Sequence, residues 1–139
     1  MKLESTFEIK GWDVAESDGI AEMADISRAT IRKEFAGEIE GTSVGYGLLL
    51  QTPEQTGGYV VIERVTGKAD GREGSFVIQH YGVRDSEGGG PWYGDVVPGS
   101  GRDGFAGVTG MFAIQHDEGG AVFTWDLSFE YAPSCEISN

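Results

Sequence analysis

Two histidines end two nearly identical segments of the chain. The segment GSFVIQH, which ends at His80, returns as GMFAIQH, which ends at His116, at an offset of 116 − 80 = 36 residues. Alternate side chains of a β-strand face the same side, so each histidine shares a face with a phenylalanine and an isoleucine. An imidazole beside an apolar wall can orient a ligand or transfer a proton near neutral pH. We therefore predict that His80 and His116 lie within reach of one shared ligand.

A third ionisable candidate is Glu63, which interrupts an apolar segment together with Arg64. Neighbouring strand residues point to opposite faces, so only one of these two charges can face an interior. One interpretation is a structural ion pair with Arg72 or Asp126, because an unpaired buried charge is costly. The other makes Glu63 a general base or charge stabiliser that faces His80, since an apolar cavity shifts both pKa values.

The same three residues, Glu63, His80 and His116, could imitate a metal site of two histidines and one carboxylate. The sequence lacks the His-x-His and His-x-x-x-His spacings that would bring two imidazoles to one metal ion. We therefore expect no metal and no cofactor. The simplest alternative for each histidine is a rim residue that makes ordinary hydrogen bonds.

Glycine-containing turns divide the chain into segments that must position these side chains. Pairs such as Asp70-Gly71 and Gly57-Gly58 separate segments of about 8 to 12 residues rich in β-branched and aromatic side chains. A helix over residues 20–36 is the main alternative, but its β-branched residues favour a strand. The pattern predicts strands near residues 3–12, 23–36, 43–51, 58–66, 73–82, 92–97, 105–117 and 120–132.

The last of these segments indicates how the sheet is organised. Its apolar side chains, Phe123, Trp125, Leu127, Phe129 and Tyr131, alternate with polar ones and predict one buried face. An open sheet would leave unpaired edges, whereas closure removes them. We predict an all-β fold in which residues 1–139 form one domain, a closed antiparallel eight-stranded β-barrel. Glycines within strands, including Gly45, Gly47, Gly107 and Gly110, suit sharp bends of such a wall.

Aromatic side chains are the candidate contacts for an apolar ligand. Residues 82–103 form the longest predicted loop, and Trp92 within it could close over a barrel mouth. The alternative is that Phe76, Ile78, Phe112, Ile114 and Trp125 fill the interior and leave no cavity. The predicted ligand-binding set is Tyr46, Tyr59, Phe76, Phe112, Trp125 and Trp92.

The charge balance excludes several classes of partner. The 139 residues include 23 acidic and 10 basic ones, for a net charge of −13. Such an acidic protein repels nucleic-acid phosphates and anionic lipids, so we expect neither nucleic acid nor membrane as partner. The first residues lack the apolar run of a signal peptide, and no stretch reaches the ~18 apolar residues of a membrane helix. We expect a cytoplasmic protein.

Several ordered blocks of the sequence resemble a known bacterial family. The blocks ERVTG, GREGSFVIQH, VPGSG and FAGVTG begin at Glu63, Gly71, Val97 and Phe105. Together they resemble the uncharacterised domain-of-unknown-function 3224 family, and the resemblance extends over nearly the whole chain. It implies a barrel similar to that of allene oxide cyclase and assigns no activity.

A more distant similarity extends to plant allene oxide cyclases and dirigent proteins. It is clearest in Gly99–Gly101 and Phe105–Gly110, and it implies a barrel that binds an apolar small molecule. The segment Phe7–Lys10 matches the middle of a cyclase Tyr-Glu-Ile-Asn segment, so the resemblance implies Glu8 as a catalytic carboxylate. Alternation along the strand, by contrast, predicts that Glu8 faces outwards. Since the cyclases form trimers, the resemblance also implies a homo-oligomer.

Two functions therefore remain open from the sequence. One is a cofactor-independent isomerase or cyclase, in which the barrel holds a reactive apolar substrate while Glu63, His80 or His116 moves or stabilises charge. The other is a ligand-binding or structural barrel without chemistry, in which the same polar groups only orient a ligand or fill space.

Overall fold

The described part of the chain folds into β-strands and one short 3₁₀ turn at Ala21–Met23. A computed structural model describes residues 1–15, 19–87, 92–117 and 120–129, without the side chains of residues 116, 117 and 120. None of the helical structure in these ranges is long or apolar enough to cross a membrane. The strands are β1 (Lys2–Ala15), β2 (Ile26–Gly37), β3 (Ile39–Gln51), β4 (Gly57–Ala69), β5 (Arg72–Arg84), β6 (Trp92–Val96), β7 (Arg102–Asp103), β8 (Thr109–Asp117) and β9 (Gly120–Ser128).

Hydrogen-bonded pairing between strands closes into a ring. The order is β4, β3, β2, β1, β9, β8, β6 and β5, and β5 pairs with β4 to complete the circle. Each neighbouring pair is antiparallel, and the two-residue β7 attaches to β5 beside the ring. The first and last strands meet where Leu3 lies opposite Trp125. The prediction of a closed eight-stranded antiparallel barrel is confirmed.

Two predicted strands begin later than expected. The chain forms the 3₁₀ turn at Ala21–Met23 before β2 starts at Ile26. Before β8, the amide of Val108 donates to the carbonyl of Phe105, and Gly107 has a φ of +81°. Gly107 therefore lies in a tight turn and not in a strand. Phe105 and Val108, three residues apart, are both buried. In a strand these two side chains would point to opposite faces, whereas a turn allows both to face the core.

Aromatic rings fill the centre of the barrel. Phe123, Trp125 and Leu127 are at most 1% exposed, which confirms the predicted inward face of β9. The Trp125 ring lies 5.1 Å from Phe123 and 5.0 Å from Phe112, measured between ring centroids. Phe129 is half-buried, and Tyr131 lies outside the described residues. Aromatic packing of this kind supplies both apolar burial and favourable ring geometry.

This packing decides whether the barrel interior is a cavity or is filled by side chains. The five residues expected to leave no cavity all belong to one buried cluster: Phe76, Ile78, Phe112, Ile114 and Trp125. The absence of a side chain at Gly94 helps to admit the Phe112 ring, because a Cβ there would lie 2.3 Å from it. The barrel centre is therefore filled by side chains.

Candidate functional site

Four adjacent strands each place one polar side chain inside the barrel wall. These residues, here called the polar cluster, are Lys33 on β2, Ser43 on β3, Glu63 on β4 and His80 on β5, and each is at most 6% exposed. Each one occupies an inward position in an alternating apolar row, as Lys33 does between Ile31 and Phe35. Buried charges and imidazoles are uncommon unless they are paired, so their meeting here calls for a specific account.

Glu63 is the centre of the polar cluster. Its Oε1 accepts hydrogen bonds from Lys33 Nζ at 3.0 Å and from His80 Nε2 at 2.8 Å. Its Oε2 accepts one from Ser43 Oγ at 2.5 Å. Gly45 leaves the space for this carboxylate, since a Cβ there would lie 3.2 Å from the Cβ of Glu63. Within the described residues, every buried polar side-chain atom has a hydrogen-bond partner.

The charges of the polar cluster are set by these contacts. Burial alone would raise the pKa of Glu63, but the His80 and Ser43 hydrogen bonds and the Lys33 charge outweigh it and lower the pKa to about 2. Burial also lowers the pKa of His80, and the positive charge of Lys33 acts in the same direction, although the Glu63 hydrogen bond opposes both. At neutral pH the cluster therefore contains an ionised Glu63–Lys33 pair and a neutral imidazole.

The ionised carboxylate fixes the tautomer of His80. A carboxylate can only accept hydrogen bonds, so Nε2 of His80 carries the proton and Nδ1 is left as an acceptor. The hydroxyl of Tyr59 lies 3.4 Å from Nδ1 and is the group that can donate to it. Burial and the nearby Glu63 charge raise the pKa of Tyr59, which keeps its hydroxyl protonated. Tyr59, His80 and Glu63 thus form a continuous relay of hydrogen bonds.

Tyr59 also reaches a pocket at one end of the barrel, here called the mouth. The mouth has a volume of about 400 Å³ and lies where β1, β3 and β5 end and where β2, β4 and β6 begin. The Tyr59 ring packs edge-on against Trp92, with centroids 5.5 Å apart. The volume falls within the usual range for small-molecule sites. The main wall residues are Trp12, Leu49, Tyr59, Arg84 and Trp92.

Comparison with known proteins identifies the family. A profile described as "Protein of unknown function (DUF3224)" matches residues 3–131. The chain belongs to the DUF3224 family. A crystal structure of a DUF3224 protein of unknown function from Shewanella oneidensis MR-1 is 34% identical, with a TM-score of 0.80 over 95% of this chain and 98% of that one. A comparison with curated proteins gave no match.

In this DUF3224 protein, the choice between Glu63 and Arg64 is settled. Glu63 faces the interior, and Arg64 is exposed. The ion pair forms with Lys33, and not with Arg72 or Asp126 as the first interpretation expected. Arg72 instead lies over the Phe129 ring at 3.7 Å, and Asp126 lies near the amino terminus.

Lys33 was missed in the sequence, although a signal was present. It occupies the inward position between Ile31 and Phe35, where a lysine interrupts an otherwise apolar row. Its ammonium lies 5.0 Å from the centroid of the Phe7 ring and 5.4 Å from that of Phe123. Aromatic faces stabilise a cation, which adds to the attraction of Glu63.

The register separates the backbones of the two histidines. His80 lies opposite Gly94, which lies opposite Phe112, so His80 and Phe112 occupy the same level of the barrel. His116 is four residues farther along β8, roughly 13 Å at the rise of a strand. The side chain of His116 lies outside the described residues, and the shared ligand stays a prediction that this spacing disfavours.

The other predicted site residues occupy three environments. Tyr59 and Trp92 lie at the mouth, whereas Phe76, Phe112 and Trp125 are packed in the core. Tyr46 is on the outer wall and 72% exposed. Glu8 is also outside, as alternation predicted, and its carboxylate binds Lys10 at 2.6 Å. The structure therefore brings Glu63, His80 and Tyr59 together and leaves Glu8 and Tyr46 apart from them.

The pKa shifts predict that acid destabilises the barrel. A folded-state pKa near 2 for Glu63, below the ordinary 4.5, contributes stability above pH 4.5 that is lost as the pH falls towards 2. This contribution corresponds to about 3 kcal/mol. His80 acts in the same direction from pH 6.5 downwards, because the unfolded chain takes up its proton more readily. Urea unfolding measured at several pH values should show this loss.

A double variant serves as the control for the acid effect. In Lys33→Met with Glu63→Gln, the titrating carboxylate and its cation are both absent, so the free energy of unfolding should depend less steeply on pH below 4.5. Equal slopes for the double variant and the natural protein would show that other carboxylates cause acid unfolding.

Proposed function

We propose that this DUF3224 protein binds a mainly apolar small molecule at the mouth of the barrel. In this proposal the Tyr59 hydroxyl donates a hydrogen bond to an oxygen of the ligand. The observation that carries the proposal is the position of Tyr59, which lines the mouth and also contacts the buried His80–Glu63 pair. A polar group held in place beside apolar walls is the usual means of orienting a small ligand.

The mouth offers a ligand apolar walls together with polar groups, which include Asp25, Ser27, Gln51 and Arg84. Trp12, Leu49 and Trp92 provide apolar walls, and the walls come from strands rather than from loops alone. Gly82 allows the aromatic rings to approach, since a Cβ there would lie 2.5 Å from Tyr59 and 3.0 Å from Trp92. Side chains held by a closed sheet lose little entropy when a ligand binds.

The relay gives the single proton of the Tyr59 hydroxyl two possible acceptors, Nδ1 of His80 and an oxygen of the ligand. Glu63 holds the proton of His80 on Nε2, so Nδ1 can receive the Tyr59 proton when the ligand oxygen does not. Glu63 itself is a weak base, because its pKa is about 2 and its oxygens already accept three hydrogen bonds. Its role in the proposal is therefore to orient His80, as the third member of a catalytic triad orients the base.

One measurement tests the binding proposal directly. Prodan, an apolar naphthalene ketone whose emission shifts to the blue in apolar surroundings, should bind to the purified protein. Tyr59→Phe should bind it about three- to tenfold more weakly, because one hydrogen bond is lost. Tyr46→Phe is the matched control, since that hydroxyl is on the outer wall and its loss should leave the affinity unchanged. Equal affinities for the two variants would contradict the assignment of Tyr59.

The relay also favours a second candidate, a cofactor-independent isomerase or cyclase. In this mechanism the Tyr59 hydroxyl would turn its proton from Nδ1 of His80 to a substrate oxygen and stabilise the negative charge that develops there. Ring closure of a racemic unsaturated epoxide would test it. The natural protein should give an excess of one product enantiomer, and Tyr59→Phe should not. A racemic product from both proteins would contradict catalysis and leave ligand binding as the proposed function.

A further inference from the structure

A continuous apolar surface covers part of the outer wall of the barrel, where a solvated sheet normally carries polar side chains. Cross-strand neighbours build it: Leu48 lies opposite Val60, Val60 opposite Tyr81, and Tyr81 opposite Tyr93. A second row places Tyr46 opposite Ile62. The six side chains, here called the outer patch, are 45–72% exposed.

We propose that the outer patch is an interface with a second copy of this chain, related to the first by a two-fold axis. The proposal is independent of the ligand at the mouth, because no side chain of the outer patch lines the mouth. Three features of the outer patch support a second copy as the occupant: its area, its shape and the charges at its ends.

The apolar area of the outer patch matches that of a stable dimer. With about 150–250 Å² for each tyrosine and about 60–120 Å² for each aliphatic side chain, the exposed fractions amount to roughly 350–600 Å². A standard interface buries about 800 Å² on each partner, and slightly more than half of this, about 450 Å², is apolar. The area of the outer patch is therefore of the size that the apolar part of such an interface requires.

The outer patch of one copy is complementary in shape to the outer patch of a second copy. Five of its side chains line a concavity of about 830 Å³ on the outer wall, and Tyr46 is the most exposed of them. A face that carries both a projecting ring and a hollow can pair with its own copy, because a two-fold axis brings the projection of each copy to the hollow of the other. An axis close to the strand direction would set Tyr46 of one copy against β5 of the other.

Charged side chains lie at both ends of the same surface, with Arg28 and Asp13 at one end and Asp95 at the other. Arg28 on β2 lies beside Leu48 at one end, and Asp95 on β6 lies beside Gln79 at the other. Both line the concavity, and both are exposed. The same two-fold axis brings Arg28 of each copy towards Asp95 of the other. This pairing offsets part of the repulsion between two chains that each carry a net charge of −13.

Sedimentation equilibrium tests the proposal. At about 100 µM and physiological salt the natural protein should have twice the chain mass of 14.9 kDa. Ile62→Glu should weaken association by about 30-fold or more, because it buries a charge at the centre of the interface. Ile20→Glu is the matched control, since Ile20 is 58% exposed before the 3₁₀ turn and lies outside the outer patch, and it should leave the dimer intact.

A charge exchange tests the two-fold geometry itself. Arg28→Glu should weaken the dimer, and Asp95→Arg added to it should restore association. Circular dichroism of each variant establishes that the barrel is still folded. A natural protein that stays monomeric up to about 100 µM would overturn the proposal and leave the outer patch to a different partner. An assembly of three or more copies, or equal effects of Ile62→Glu and Ile20→Glu, would also overturn it.

Discussion

Replacing Glu63 by glutamine is expected to lower the free energy of unfolding at pH 7 by about 3–5 kcal/mol. Glutamine keeps the shape of the side chain but removes the negative charge. The ammonium of Lys33, 5% exposed, would then lie buried without its counter-charge. His80 and Ser43 would also lose the ionised acceptor of their hydrogen bonds. Urea unfolding followed by tryptophan fluorescence measures the change.

The partner substitution separates charge from packing. In Lys33→Met with Glu63→Gln both charges are removed, so the double variant should recover much of the stability that the single Glu63→Gln change loses. Glu8→Gln is the matched surface control, because Glu8 also binds a lysine but is exposed, and it should have no measurable effect. A Glu63→Gln variant as stable as the natural protein would contradict the view that the polar cluster depends on its central carboxylate.

The second large effect is expected at Trp125. Replacing it by serine should destabilise the barrel by about 3–5 kcal/mol, because it removes a fully buried indole and leaves a cavity among aromatic rings. The change also removes the hydrogen bond from the indole Nε1 to Ser5 Oγ, which is 2.9 Å long. Because Trp125 joins β9 to β1, the loss acts where the barrel closes.

Trp12→Ser provides the comparison for Trp125, since Trp12 is 49% exposed at the mouth and should cost much less. If Trp125→Ser fails to fold, Trp125→Phe should give a smaller but measurable loss, because a ring still occupies most of the space. A melting curve that Trp125→Ser leaves unchanged would contradict the assignment of this residue to the core.

Alternation along single strands predicted much of the candidate site. The inward face of β9, the outward position of Glu8 and the rule that only one of Glu63 and Arg64 faces the interior all follow from the two-residue period of a strand. Alternation states which face a side chain occupies. It does not state which side chain of another strand lies at the same level, and so the partner of Glu63 could not be predicted.

The duplicated heptapeptide illustrates the same limit. Equal sequence positions suggested equal levels for His80 and His116, but the strands of a barrel are staggered as the sheet closes. The stagger aligns His80 with Phe112 and moves His116 four residues beyond it. Strand levels depend on the stagger of the whole ring, which is a property of all eight strands together and is not encoded in either repeat alone.

The sequence by itself determined that this protein is a closed antiparallel barrel, because turns, β-branched segments and one apolar face per strand are local features. It also determined the acidic charge and the aromatic nature of the interior. Only the tertiary structure decided that Lys33 neutralises Glu63, that the barrel centre is filled and that Tyr59 connects the polar cluster to the mouth. These features depend on side chains that are far apart in the chain and meet only when the strands take their final register.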